Sequence, residues 1–328
     1  MKRILITGAS GFIGSTLVEE CLKLGWQVTA AVRPTSDKTF LQDPRIHFLE
    51  LDFNNSEDLK NKLYDAGRFN YVLHGAGTTK AVNKQGYLDV NAGHTQRLAE
   101  ILRGDAVRPD KFLFVSSLAS LGPTKRDKII SSSDIPQPVT GYGESKLAAE
   151  KYLSTLKDLP WVAILPTAVY GPREREMFIF INLINKGLEF YIGTKPQQVA
   201  FIYSKDLVTQ MLLALEHGHV GKKYLATDGN VYSMDDLGNA VRTALGKKTF
   251  KLKIPLPIVG VIAHISEIIG NWRGKATILN KEKMNELGAE SWVCDMSESF
   301  KDLGFTPQYD LNSGMKETVE WYKEHRWL

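Results

Sequence analysis

Tyr142 and Lys146 stand four residues apart in "GYGESKLAAE", one turn of a predicted helix. A phenol ordinarily titrates near pH ~10, so alone it transfers protons poorly at neutrality. An ammonium one turn away favours the phenolate and makes the pair a usable acid–base group. Tyr-x-x-x-Lys also recurs by chance as an exposed helical pair, so a further hydroxyl matters. "KFLFVSSLAS" supplies two, a strand ending in Ser116 and Ser117. Either could hold a substrate oxygen while Tyr142 passes it a proton.

A second kind of chemistry is written into "TGASGFIG", where Gly8, Gly11 and Gly14 follow the apolar run "RILIT". Glycines at a strand-to-helix turn let the backbone bend tightly and approach a pyrophosphate, which the helix N-terminus then holds. The same spacing can mark a plain tight turn, but here it follows a strand and opens an amphipathic helix. The context predicts a dinucleotide, cradled by Gly8, Ser10, Gly11, Phe12, Ile13 and Gly14. With a nicotinamide dinucleotide beside Tyr142, the reaction is hydride transfer to or from a carbonyl or alcohol carbon. Which dinucleotide depends on the end of the second strand, "QVTAAVRPTSDK". A carboxylate there suits the NAD ribose, and an arginine suits a 2′-phosphate. Arg33 occupies the place, with Ser36 and Lys38 behind it, while Asp37 follows only after Pro34 has turned the chain. NADP is therefore expected in preference to NAD, unless Arg33 is only a solvated loop residue. Asp52, followed by Phe53, ends the third strand, where a short carboxylate could meet the adenine amine or join a helix cap around Asn54 to Ser56.

The elements that must position these groups alternate. Apolar runs at "QVTAAV", "IHFLEL", "YVLHGA", "KFLFVSS" and "WVAILP" are separated by helical patterns, including 56–66 and 85–103. That rhythm predicts an α/β fold with a Rossmann-type doubly wound parallel sheet, ligands lying at the carboxyl edge of the strands. After Gly171 prolines, short strands and helices take over. The expected division is a cofactor-binding domain over 1–170, with 198–226 returning to it, and a smaller mixed α/β substrate domain over 171–197 and 227–328. The 328 residues are 43% hydrophobic and 24% charged, with a net charge of +4 and no basic run, so nothing marks a nucleic-acid partner. Cys21 and Cys294 form no framework and read as buried hydrophobes in a reducing compartment. His47, His74 and His94 lack ligand spacing, so no metal is expected. The apolar run 254–270 is broken by two prolines, a His and a Glu, too interrupted for an integral membrane span. With no signal-peptide pattern, a cytoplasmic location is expected.

Taken in order, "TGASGFIG", "HGAG", "VSS", "YGESK" and "LPTAVYGP" resemble the extended short-chain dehydrogenases/reductases over nearly the whole chain. The resemblance implies Ser117 rather than Ser116 as the catalytic serine, 25 positions before Tyr142. It implies Tyr142 as general acid/base and Lys146 as the residue that tunes it and holds the nicotinamide ribose. It adds Asn91 of "DVNAGHT" to the catalytic group, and His74, Gly75, Ala76 and Gly77 as the loop lining the adenine ribose. Pro166, Thr167, Ala168 and Val169 match the segment touching the nicotinamide carboxamide. His94 departs from the usual Gly-Thr ending and is expected on a helix surface. A homodimer is implied as well.

Other departures bear on the substrate. Sugar-nucleotide epimerases and dehydratases of this family usually carry an arginine at the position of Val199, two before "FIY", and often at that of Leu165. Losing a bidentate diphosphate partner argues against that substrate class, although Arg173, Arg175 or Lys195 could substitute. The segment 254–270 and the ending "WYKEHRWL" look more like the 3β-hydroxysteroid dehydrogenase and dihydroflavonol reductase branches. The apolar segment could serve a hydrophobic small-molecule substrate, ordinary packing or a dimer contact. The leading expectation is an NADP-dependent oxidoreductase acting on a fairly apolar carbonyl or alcohol. Its rivals are a sugar-nucleotide epimerase or dehydratase using the same residues, and a non-catalytic NADP-binding sensor.

Overall fold

The computed structural model describes residues 1–193, 196–261 and 281–328. Its strands are β1 (Arg3–Thr7), β2 (Gln27–Val32), β3 (His47–Glu50), β4 (Tyr71–His74), β5 (Lys111–Val115), β6 (Trp161–Pro166), β7 (Ala168–Tyr170), β8 (Leu188–Ile192), β9 (Phe201–Tyr203), β10 (Lys223–Ala226) and β11 (Phe250–Ile254). Seven of them form one sheet in the order β10-β6-β5-β4-β1-β2-β3, every pairing parallel. This is the doubly wound sheet that the alternating apolar runs predict. β1 lies between β2 and β4, so the strand order reverses at its carboxyl end, and a crevice opens there.

The early helices are α1 (Phe12–Lys23), α2 (Ser56–Ala66), α3 (Lys84–Tyr87), α4 (His94–Leu102) and α5 (Gly141–Thr155). They continue with α6 (Arg175–Asn185), α7 (Ser204–His217), α8 (Met234–Leu245), α9 (Lys281–Gly288), α10 (Ser297–Leu303) and α11 (Leu311–Glu324). Leu17, Val18 and Cys21 of α1 and Leu207, Val208 and Met211 of α7 cover one face of the sheet. Leu59 and Leu63 of α2, Leu98 and Leu102 of α4, and Ala149 and Leu153 of α5 cover the other. A third core joins α6, α8 and α11 around Tyr170, Tyr203 and Tyr322. It encloses the short β7–β9 pair, while β8 pairs with β11.

Two local features differ from the periodicity. The helix expected over 85–103 contains a π-helical turn at Leu88–Gly93. A π turn carries one extra residue, which shifts every later side chain by about 100° around the axis. Arg173 takes φ 75°, a left-handed conformation that costs a side-chain-bearing residue energy. The apolar segment 254–270 lies largely outside the described residues, as does Lys195. Cys21 and Cys294 are free and buried, and burial pushes both thiols up to about 12. Among the described residues no helix is long and apolar enough to cross a membrane, and no cluster of side chains has the makings of a metal site.

Candidate active site

The cleft begins at the carboxyl end of β1 and needs its glycines for close backbone contacts. Gly8 has φ 74°, and a Cβ placed on it would lie 2.7 Å from the carbonyl carbon of Gly75. A Cβ on Gly14 would sit 2.1 Å from the Gly8 carbonyl oxygen. The first turn therefore lies flush against both the β4 loop and its own helix. Above it opens a cleft of about 770 Å³ lined by Gly8, Ser10, Gly11, Arg33, Ser36, Asp52, Phe53, Gly75, Ala76 and Gly77, among others. A glycine-lined floor at a helix N-terminus, with one wall carrying Arg33 and the other the Gly75–Gly77 backbone, fits a dinucleotide. Phe12 and Ile13 start α1 behind this turn, and Ile13 packs on the core.

Not every expected residue faces the cleft. His74 is fully buried between two threonines. The Thr95 hydroxyl donates to the Asn91 carbonyl at 2.6 Å, so at 3.0 Å it accepts from His74 Nε2. Nδ1 is then the acceptor for Thr7 Oγ1 at 2.7 Å, and this neutral imidazole is fully satisfied. Burial, reinforced by Lys146, holds the ring well below its ordinary value, at about 3. His74 thus ties β1, β4 and α4 together, while Gly75, Ala76 and Gly77 after it do line the cleft. Lys38 lies over the Phe48 ring at 4.8 Å rather than in the cleft. Ser36 Oγ accepts the Arg33 N–H at 2.9 Å and shapes the turn that presents Arg33. Asp52 lines the cleft while accepting the Asn54 N–H at 2.9 Å, and Asn55, not Asp52, caps α2.

His94 is a correction. It is half-buried, lines the cleft and stacks on Phe53 with ring centroids 5.1 Å apart, instead of standing on a helix surface. It follows directly on the π turn at Leu88–Gly93 and lies next to buried Thr95. Burial and the neighbouring Arg97 lower its pKa.

Ser117, Tyr142 and Lys146 are brought together by α5. Thr140 caps this helix by accepting the Gly143 N–H at 3.1 Å. A Cβ on Gly143 would lie 2.3 Å from the Ala119 carbonyl oxygen, so glycine lets the helix start press against the loop following Ser117. Ser117 is hydrogen-bonded to the Tyr142 hydroxyl and also accepts the Ala119 N–H at 3.2 Å. Ser116 points the other way, toward Glu150, as alternation along an extended chain requires. Lys146 Nζ donates to the Val115 carbonyl at 2.8 Å and lies 6.0 Å from the Tyr142 ring centroid. The expected lowering of the phenol by Lys146 is not found: burial pushes the phenol up to about 12 and draws the ammonium down to about 8. Asn91 is buried in the π turn, and its amide holds Thr78 N at 2.8 Å, Thr78 O at 3.0 Å and Ser145 Oγ at 2.9 Å. It positions the Gly77 loop against α5. Pro166 to Val169 leave the carboxyl end of β6; Thr167 N donates to the Ala226 carbonyl at 2.9 Å, and Ala168 is exposed.

Fold and cleft together are those of a dinucleotide-binding α/β protein in which Ser117, Tyr142 and Lys146 are brought together. Residues 4–227 match the model of the NAD dependent epimerase/dehydratase family, and the chain belongs to that family. It is 28% identical to a UDP-glucose 4-epimerase of Vibrio cholerae over 97% of this chain and 95% of that protein. It is 24% identical to a ceramide reductase of Caulobacter vibrioides (strain NA1000 / CB15N), covering 99% and 96% respectively. A crystal structure of UDP-glucuronic acid 4-epimerase from Bacillus cereus in complex with NAD superposes with a TM-score of 0.77 at 22% identity, covering 98% of this chain and 99% of that one. These relatives place the chain among extended short-chain dehydrogenases/reductases, enzymes that use NAD(P) on small molecules.

Proposed function

We propose that the protein is an NADP-dependent reductase of a fairly apolar ketone or aldehyde, running in reverse as an alcohol dehydrogenase. The observation that carries this reading is the fate of the positions where a diphosphate-binding arginine would stand. Leu165 is fully buried inside β6, and Val199 packs on the third core while its backbone pairs with Tyr232. Arg173 is no substitute. Its guanidinium lies 4.7 Å from the Phe40 ring centroid, donates to Ser15 at 3.0 Å and pairs with Glu19. Arg175 reaches outward to Asp37 at 3.9 Å. A relative named ceramide reductase, 24% identical, supports the reading, beside a UDP-glucose 4-epimerase at 28%.

A phenol held near 12 stays protonated at neutral pH, which suits donation to a carbonyl oxygen. Ser117 orients that oxygen, Tyr142 donates the proton, and Lys146 stabilises the resulting phenolate. Bound reduced nicotinamide would supply the hydride. We assign 171–197 and 227–328 to substrate binding, and a homodimer as the assembly.

The preference for NADP rests on Arg33, which is exposed and lines the cleft at the end of β2. Asp37 is engaged elsewhere, accepting the Thr39 N–H at 2.9 Å and the Thr39 hydroxyl at 2.6 Å. Arg33→Asp should weaken NADPH binding at least ~10-fold and favour NADH, by loss of a charge-assisted contact and gain of like-charge repulsion. Fluorescence titration of both cofactors checks this, and an unchanged ratio removes Arg33 from the account.

The substrate class is tested by thermal unfolding with saturating NADP, with and without UDP, alongside NADPH consumption on apolar ketones. Net NADPH oxidation and no UDP shift are expected. A ligand at 100 times its Kd stabilises by about 2.7 kcal/mol, so a clear upward shift with UDP would turn the reading to a sugar-nucleotide epimerase.

A further inference from the structure

Behind the Ser–Tyr–Lys group lies a buried acid that the chemistry above does not use. Glu150 sits one turn beyond Lys146 on α5 and is 3% exposed. One carboxylate oxygen accepts the Ser116 hydroxyl, and the other pairs with Lys223 Nζ of β10 at 3.2 Å. The pattern is regular: Tyr142, Lys146 and Glu150, spaced by four, hold Ser117, Val115 and Ser116, three consecutive residues where β5 runs out into its loop. One helix face thus fixes the last residues of one strand, and Ser116 also donates its N–H to the Ile164 carbonyl of β6 at 2.8 Å.

Burying a carboxylate costs several kcal/mol unless it is paired, and Lys223 supplies that pairing for Glu150. A neutral glutamine could accept the Ser116 hydroxyl equally well. What glutamine cannot provide is negative charge beside a buried ammonium. Lys146 is faced on its own helix by Tyr142 and Glu150, from β4 by neutral His74, and from β5 by the Val115 carbonyl and the Phe114 ring at 4.9 Å. Glu150 is the anion in that set, and Lys223 stands behind it.

We propose that Glu150 is a positioning residue for the reaction: its carboxylate fixes the end of β5 that carries Ser117, and its charge keeps Lys146 an ammonium. The proposal rests on the Tyr142–Lys146 reading. Burial already draws the Lys146 ammonium down to about 8, and the nearby carboxylate opposes that fall. Removing the negative charge lowers an ammonium's pKa further, so the alkaline loss of activity should begin at lower pH.

The test is the pH profile of kcat for NADPH-dependent ketone reduction in wild type, Glu150→Gln and Ser116→Ala. Glu150→Gln keeps the hydrogen bond and should move the alkaline limb down by about half a pH unit or more. Ser116→Ala loses the grip but keeps the charge, so it should lower kcat about 3-fold or more with the limb unmoved. A Glu150→Gln profile superimposing on wild type overturns the electrostatic role. An unaltered kcat in Ser116→Ala overturns the positioning role, even if the Glu150 variant fails to fold. Full activity in Tyr142→Phe would instead remove the underlying reading, whatever Glu150 does.

Discussion

Tyr142→Phe should lower kcat by about 10²–10⁴-fold while leaving the Kd for NADPH nearly unchanged. The substitution removes one oxygen from a site whose other members are also held by backbone groups. Ser117 keeps its Ala119 N–H, and Lys146 keeps the Val115 carbonyl, so the scaffold should survive. The ring's edge contact with Tyr87, centroids 6.3 Å apart, is retained by phenylalanine. What disappears is the group able to give a proton to the substrate oxygen. Steady-state kinetics with a cofactor titration on the same sample check both halves, and full activity would sink the mechanism.

The second large effect concerns stability. Gly14→Ala would bring a methyl group to 2.1 Å from the Gly8 carbonyl oxygen and 2.8 Å from the Ala9 Cα. Both neighbours are backbone, so relief requires moving α1 off β1 or opening the first turn. Overpacking of this kind costs typically 1–3 kcal/mol, and a backbone clash belongs at or above about 3 kcal/mol. Chemical denaturation should show that loss, and NADPH affinity should fall with it because the displaced turn is the floor of the cleft. A variant with wild-type stability and affinity would show that the third glycine is dispensable.

Much of this arrangement was legible in the residue order because it depends on short-range rules. Continuous apolar runs marked the sheet, glycine spacing marked the turn, and Tyr142 with Lys146 announced a shared helix face. The parts that were not legible depend on partners distant in sequence. His94 is expected on a helix surface because it departs from the usual Gly-Thr ending, but Phe53, 41 positions earlier, stacks on it. His74 sits in a motif that resembles a cofactor loop, yet Thr7 and Thr95, 67 positions before and 21 after it, enclose its ring. Arg173 looked free to meet a diphosphate, but a left-handed backbone and the remote Ser15, Glu19 and Phe40 turn it inward. Glu150 stood in plain view in "GYGESKLAAE", four after Lys146, and its place on the same helix face was the signal for it.

The strand order also has a consequence for synthesis. β6 pairs with β5 on one side, but its other neighbour, β10, begins only at Lys223. Between Pro166 and Lys223 the ribosome adds 56 residues (167 to 222). At 5–20 residues per second, the open edge of β6 has no partner for roughly 3–11 s. That edge reads "WVAILP", an apolar stretch able to pair with another nascent chain, closed off by its proline. The fold thus carries a window of aggregation risk that ends when β10 docks, and chaperone demand should concentrate there.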